Sequence, residues 1–231
     1  MANPANLTMQ KRAAAEAAAA MVQDGMIVGL GTGSTASLAV EALGKRVAEG
    51  LRILGIPTSE VTAQEARKCK IPLSTLNVHP RIDLAIDGAD EVEKGTLNLI
   101  KGHGGALLRE KIVASASRRF VVIADQSKLV DYLGTRFAVP VEVDQFGWMA
   151  TAAKLEKLGC KTSIRRNEEG SEFVTDGHNY ILDCSFGRIG EVTELARAID
   201  SLVGVIEHGL FPGMTSQALI GADDCVQVLE P

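Results

Sequence analysis

The residues best placed to do chemistry form one run, Ile100-Lys101-Gly102-His103-Gly104-Gly105-Ala106-Leu107-Leu108-Arg109-Glu110-Lys111-Ile112-Val113. Its glycines permit positive φ and a close approach to backbone N–H groups, and the helix expected to follow offers unpaired N–H donors at its start. A lysine and a glutamate flank that anion-binding geometry. At 100° per residue Glu110 falls among Ala106, Leu107, Val113 and Ala114, while Lys111 and Ser115 share another side. A carboxylate in such apolar surroundings is either a buried acid in an ion pair or a general base whose proton affinity is raised by desolvation.

A second acidic group lies upstream. In Arg81-Ile82-Asp83-Leu84-Ala85-Ile86-Asp87-Gly88-Ala89-Asp90-Glu91, Ile82, Leu84 and Ile86 alternate as in a strand, which breaks at glycine. Asp87 and Asp90 then fall just past a strand's carboxyl end, where open α/β sheets bind ligands. An acidic surface loop or helix cap is the competing reading.

Gly31-Thr32-Gly33-Ser34-Thr35, Asp87-Gly88-Ala89-Asp90-Glu91 and the Lys101-to-Ile112 run occur in an order and spacing that resemble ribose-5-phosphate isomerase of the A type. Ala124-Asp125, Ser127-Lys128 and Pro140-Val141-Glu142-Val143 extend the likeness over nearly the whole chain. The resemblance implies that Glu110 moves a proton between C2 and C1 of a sugar phosphate. It also implies that Asp87 assists ring opening, that Asp90 holds hydroxyls and that Lys101 stabilises the enediolate. Substrate contacts would come from Thr32, Gly33, Ser34, Thr35, Gly88, Ala89, Gly102, His103, Gly104 and Lys128, with Lys11 a weaker candidate. His103 stands where many relatives have glycine, and is expected to point outward.

The elements that must position these groups are legible in outline. An Ala-rich helix over 8–23 leads to strand 26–30, whose glycine turn opens a helix through about 43. Strand-turn-helix of this kind is a phosphate cradle. It is not a dinucleotide fingerprint, because Ser34 takes the third glycine position and the next strand, near 52–56, ends in Pro57-Thr58-Ser59 without an acid. A helix near 60–69, a short strand around 73–76, strand 82–86 and strand 120–124 continue the alternation. It predicts a Rossmann-like, mostly parallel sheet with helices on both faces. Lys128 again follows a strand end.

From about 136 the pattern becomes strand 137–143, helix 145–158, strands 161–165 and 179–184, helix 190–200 and strand 203–208, the order of a ferredoxin-like β-α-β-β-α-β unit. Residues 166–178 read as a surface loop or irregular hairpin. Gln217–Ile220 and Cys225–Leu229 form a hairpin that could rejoin the first sheet. The expected organisation is an α/β domain of 1–134 and 210–231 with a smaller α+β domain of 135–209 between.

With 231 residues and 46% hydrophobic content the chain can bury a sizeable core. A formal charge of −5 with dispersed charges argues against nucleic acid, and no apolar run approaches a membrane span. Cys69, Cys160, Cys184 and Cys225 are scattered, without zinc spacing, and read as reduced packing residues of a cytoplasmic protein. No metal or organic cofactor is implied. Self-association as a homodimer is expected, with a homotetramer as the alternative. A sugar-phosphate sensor could carry the same phosphate turn, and an acyl-CoA transferase or amino-sugar phosphate deaminase could share the fold; turnover of ribose 5-phosphate separates them from an isomerase.

Overall fold

The structure is a computed structural model and describes residues 4–231. Among the described residues six α-helices run α1 (Pro4–Ala20), α2 (Ser34–Ala48), α3 (Glu60–Lys68), α4 (Leu107–Ser115), α5 (Trp148–Glu156) and α6 (Val192–Asp200). The strands are β1 (Ile27–Leu30), β2 (Leu54–Pro57), β3 (Leu84–Gly88), β4 (Glu91–Glu93), β5 (Leu99–Ile100), β6 (Phe120–Asp125) and β7 (Leu129–Val130), then β8 (Val139–Val143), β9 (Lys161–Ile164), β10 (Tyr180–Ser185), β11 (Val205–His208), β12 (Leu210–Phe211), β13 (Gln217–Gly221) and β14 (Val226–Leu229). They divide into two compact units, Met1–Ala89 with Arg109–Leu129 and Gly213–Pro231, and Asp90–Leu108 with Val130–Pro212.

The first unit is built on a six-stranded sheet of order β14-β13-β6-β3-β1-β2, in which only the β13–β14 pair is antiparallel. Its five parallel strands are the doubly wound 2-1-3-4-5 arrangement, whose strand order reverses between β1 and β3. Ala14, Ala15, Ala18 and Ala19 are buried on α1. Their small side chains let α1 lie close to α2, β6 and β13. Arg46 of α2 donates to the carbonyls of Ala19, which also accepts the Val22 N–H, and of Val22, tying α2 to the end of α1. The expected strand at 73–76 amounts to one bridge, Gly55 to Leu73.

The second unit carries an antiparallel sheet of order β11-β8-β10-β9 with α5 and α6, the ferredoxin-like arrangement expected from the pattern. Its core gathers Val139, Val141, Val143, Leu155, Leu182 and Ile199, all buried. This unit also takes in residues 90–108, beyond the expected 135–209. The cause is backbone pairing: β5 joins β4 on one side and β12 on the other, and the Glu91 carboxylate accepts the N–H groups of Gly134, Arg136 and Phe137 at 2.6, 2.6 and 3.0 Å. All four cysteines are free thiols. The Cys160 thiol hydrogen-bonded to Cys184, together with burial, pushes the Cys184 thiol well above its ordinary value. Among the described residues no helix is long and apolar enough to cross a membrane.

Candidate active site

In the first unit the reversal point of the sheet brings the glycine turn against Asp87. Leu30 pairs with Ile86, so the next residues, Gly31 and Asp87, sit side by side. Gly31 donates to the Ile86 carbonyl at 2.9 Å, and Asp87 Oδ1 accepts the N–H groups of Thr32 at 3.1 Å and Gly88 at 2.7 Å. Asp87 is only 3% exposed. These main-chain donors set the plane of the carboxylate.

The Thr32 hydroxyl turns into a buried cluster, 2.7 Å from Thr58 Oγ1, 2.9 Å from Ser59 Oγ and 3.0 Å from Thr62 Oγ1. Thr62 in turn donates to the Gly31 carbonyl at 2.9 Å. What Thr32 supplies is therefore a locked turn. These three hydroxyl residues were not singled out from sequence; Thr58 and Ser59 entered it only as the missing acid after β2, and their partner was hidden until β2 was known to lie beside β1.

Gly33 precedes α2 with φ 105 and ψ 174, and α2 has no side-chain cap on its N-terminus. Gly33 and Ser34 are exposed there, and Thr35 is buried in the first turn. Lys11 Nζ lies 3.2 Å from Ser34 Oγ and 3.9 Å from Asp125 Oδ2, so a cation stands beside the helix start. Asp125 ends β6 and accepts the Ser127 N–H at 2.9 Å, closing the 3-10 turn Gln126–Lys128 that carries half-buried Lys128. Open helix N–H groups, a serine hydroxyl and lysine together have the chemistry to receive an anion.

Glu110 lies in the first turn of α4 and is 4% exposed. Ala106, Leu107, Val113 and Ala114 are buried with it, whereas Lys111 is half-buried and Ser115 exposed, the distribution the helical wheel predicts. Gly88 and Ala89, half-buried, continue from Asp87 to the second unit.

In that unit Asp90 donates its N–H to the Ile100 carbonyl at 2.8 Å, and its Oδ2 accepts the His103 N–H at 3.0 Å. Lys101 is 2% exposed, donates its own N–H to the Gly209 carbonyl at 2.9 Å and holds Nζ 5.7 Å from the centre of the Phe211 ring. Gly102 needs its glycine for two reasons: φ is 104, and a Cβ would stand 2.8 Å from that of Leu107. The His103 side chain is exposed, with its ring edge-on to Phe137 at 4.7 Å. Exposed Gly104 leads to Gly105, where a Cβ would meet the Phe173 ring at 2.4 Å. Phe173 comes from the stretch read as a surface loop.

Asp200, Glu207 and His208 form the one grouping among the described residues that could hold a metal ion. His208 has both ring nitrogens engaged, Nδ1 accepting the Leu210 N–H at 3.1 Å and Nε2 3.1 Å from Asp200. It fits a buried histidine tied to a carboxylate better than a ligand set.

A doubly wound sheet with an oriented carboxylate at its reversal point, an open helix start flanked by lysine, and a buried glutamate on the helix after a Lys-Gly loop define an α/β enzyme acting on a small anionic substrate. The family described as ribose 5-phosphate isomerase A (phosphoriboisomerase A) matches residues 54–225. Ribose-5-phosphate isomerase A of Gluconobacter oxydans is 56% identical over 227 residues, covering 98% of each chain, and that of a Synechococcus strain is 56% identical over 95% of this chain and 96% of its own. Among solved structures, ribose 5-phosphate isomerase A of Methanocaldococcus jannaschii superposes with a TM-score of 0.93 at 40% identity, over 96% of this chain and 99% of that one. A D-ribose-5-phosphate isomerase in complex with phospho-erythronic acid superposes at 0.94 with 36% identity, over 97% and 99%. This chain belongs to the ribose 5-phosphate isomerase A family.

Proposed function

We propose that this enzyme interconverts D-ribose 5-phosphate and D-ribulose 5-phosphate through an enediolate, as a step of the non-oxidative pentose phosphate pathway, working in the cytoplasm as a homodimer. The observation that carries the reaction is 56% identity over nearly the full length to an isomerase of this name, combined with a buried glutamate on the helix that leaves the Lys101 loop. A relative's complex with phospho-erythronic acid supports it, because an aldonic acid phosphate offers a phosphate at one end and, at the other, two oxygens like those of an enediolate.

In this reading the phosphate binds at the α2 start with Ser34, Lys11 and Lys128. Asp87 takes the proton of the anomeric hydroxyl and passes it to the ring oxygen as the C1–O4 bond breaks, and Asp90 holds substrate hydroxyls. Glu110 then removes the C2 proton of the open aldose and returns it to C1 as the O2 hydroxyl proton passes to O1, while the Lys101 ammonium stabilises the negative oxygen that develops in between. Each part is within ordinary limits: a positioned general base contributes about 10²–10⁴-fold, and charge stabilisation in a water-poor site adds more.

Glu110→Gln keeps the shape and removes the base. The expected result is a fall in kcat of at least about 10²-fold with KM little changed. Wild type run in heavy water should place some deuterium at C1 of ribulose 5-phosphate. Near-normal kcat in a folded Glu110→Gln enzyme would exclude this assignment.

A further inference from the structure

We infer that Arg165 is a positioning residue for Asp90, acting through the peptide group that joins Gly102 to His103. The inference rests on the reading above in which Asp90 contacts substrate. Arg165 follows β9 and donates its backbone N–H to Ile181 of β10 at 2.9 Å, which sets its side chain beside Asp183 on the same strand. Its guanidinium is engaged on two sides. Nε donates to Asp183 Oδ2 at 3.0 Å and Nη2 to Asp183 Oδ1, while Nη1 donates to the carbonyls of Gly102 at 2.7 Å and His103 at 3.1 Å. The Arg165 side chain is 12% exposed, so water competes little for these bonds.

The Gly102 carbonyl and the His103 N–H belong to one peptide. That N–H donates to Asp90 Oδ2 at 3.0 Å. The atoms thus form a continuous relay: Asp183 carboxylate, Arg165 guanidinium, peptide 102–103, Asp90 carboxylate. A cation on the oxygen end of a peptide strengthens the donor at its nitrogen end, and fixes the plane in which the donor points. The loop has need of this. Gly102 and Gly105 both have positive φ, and glycine backbone is otherwise the least constrained in the chain. Lysine could supply the charge at position 165 but not the fork that grips a carboxylate and two carbonyls together.

The test is a double-mutant cycle on kcat/KM for ribose 5-phosphate, using Arg165→Lys, Asp90→Asn and the pair, with melting temperatures as a check on folding. Arg165→Lys should lower kcat/KM by about 10-fold or more in the wild-type background, the size of a lost charge-assisted bond, and by less than about threefold once Asp90 is Asn. A brace that merely supports folding, or an arginine that touches substrate itself, gives effects that multiply, and full multiplication overturns the inference. If Asp90→Asn is itself harmless, the Asp90 assignment falls and the inference with it, a failure distinct from multiplication. Should Arg165→Lys not fold, Asp183→Asn loosens the same guanidinium and enters the cycle in its place.

Discussion

Gly31→Ala is the sharpest probe of how the sheet places Asp87. A Cβ at position 31 would stand 2.1 Å from Asp87 Oδ1, 2.3 Å from Cγ and 2.6 Å from the main-chain α-carbon. The carboxylate can swing away only by releasing the N–H groups of Thr32 and Gly88. The clash with the α-carbon has no such escape, because rotation about a side-chain bond leaves that atom in place. Restoring an ordinary separation means parting β1 from β3 by roughly 0.8 Å at their carboxyl ends, and misplacing a reacting group by about 1 Å costs on the order of 10²-fold. Overpacking adds a stability loss of about 1–3 kcal/mol, or a melting temperature lower by roughly 2–4 °C per kcal/mol. Gly50→Ala is the matched control. Nothing lies within 4 Å of a Cβ there, but φ 110 is a backbone conformation that side chains rarely adopt, so it should lose about 1–3 kcal/mol of stability while sparing kcat. Turnover of ribose 5-phosphate in a coupled assay, with thermal melts of both variants, reads the two effects apart. A Gly31→Ala enzyme within about threefold of wild-type kcat would refute the claim that Asp87 must stand where the sheet puts it.

Ser34→Ala and Lys128→Ala should each raise KM for the sugar phosphate with kcat near normal, by the roughly 1.5–3 kcal/mol that a charge-assisted bond contributes; unchanged KM in both would move the phosphate elsewhere. Glu91→Gln should act on stability, since the amide can accept only through one oxygen where the carboxylate now takes three N–H groups. A loss of about 2–4 kcal/mol with kcat per folded molecule within roughly fivefold is expected, and a large fall in kcat at an unchanged melting temperature would show instead that Glu91 takes part in the chemistry.

Much of this was legible in the sequence because the informative signals are local. The alternation of Leu84 and Ile86 ending at Gly88, and the glycine turn after β1, reveal strand ends without any knowledge of neighbours. The burial of Glu110 follows from α4's own periodicity. What sequence could not supply is pairing at long range. The Thr32 hydroxyl finds Thr58, Ser59 and Thr62 only because β2 lies beside β1, and Arg165 reaches Gly102 across 63 positions of chain. The strands β4, β5 and β12, of two or three residues, are too short to show a period of two, so the attachment of 90–108 to the second unit was invisible. The stretch 166–178 reads as a surface loop or irregular hairpin, and Arg166 does bridge Glu172 across it, but nothing local shows that Phe173 packs on Gly105.

The acidic run Asp87-Gly88-Ala89-Asp90-Glu91 shows how a protein can hold several negative charges in a short segment. Thr32 and Gly88 donate to Asp87, His103 donates to Asp90, and Gly134, Arg136 and Phe137 donate to Glu91, every one through a main-chain N–H. A carboxylate paired with arginine is stabilised as an anion, but its charge is largely cancelled and its basicity falls with it. Peptide donors also favour the anion and lower its basicity, but they are neutral and bring no counter-charge of their own. They are placed by the backbone, so their direction costs no side-chain entropy. The Arg165 guanidinium reaches Asp90 through a peptide, and its own charge is matched by Asp183. Donors fixed to the backbone in this way hold the plane of each carboxylate, which is what an acid that orients a ligand needs.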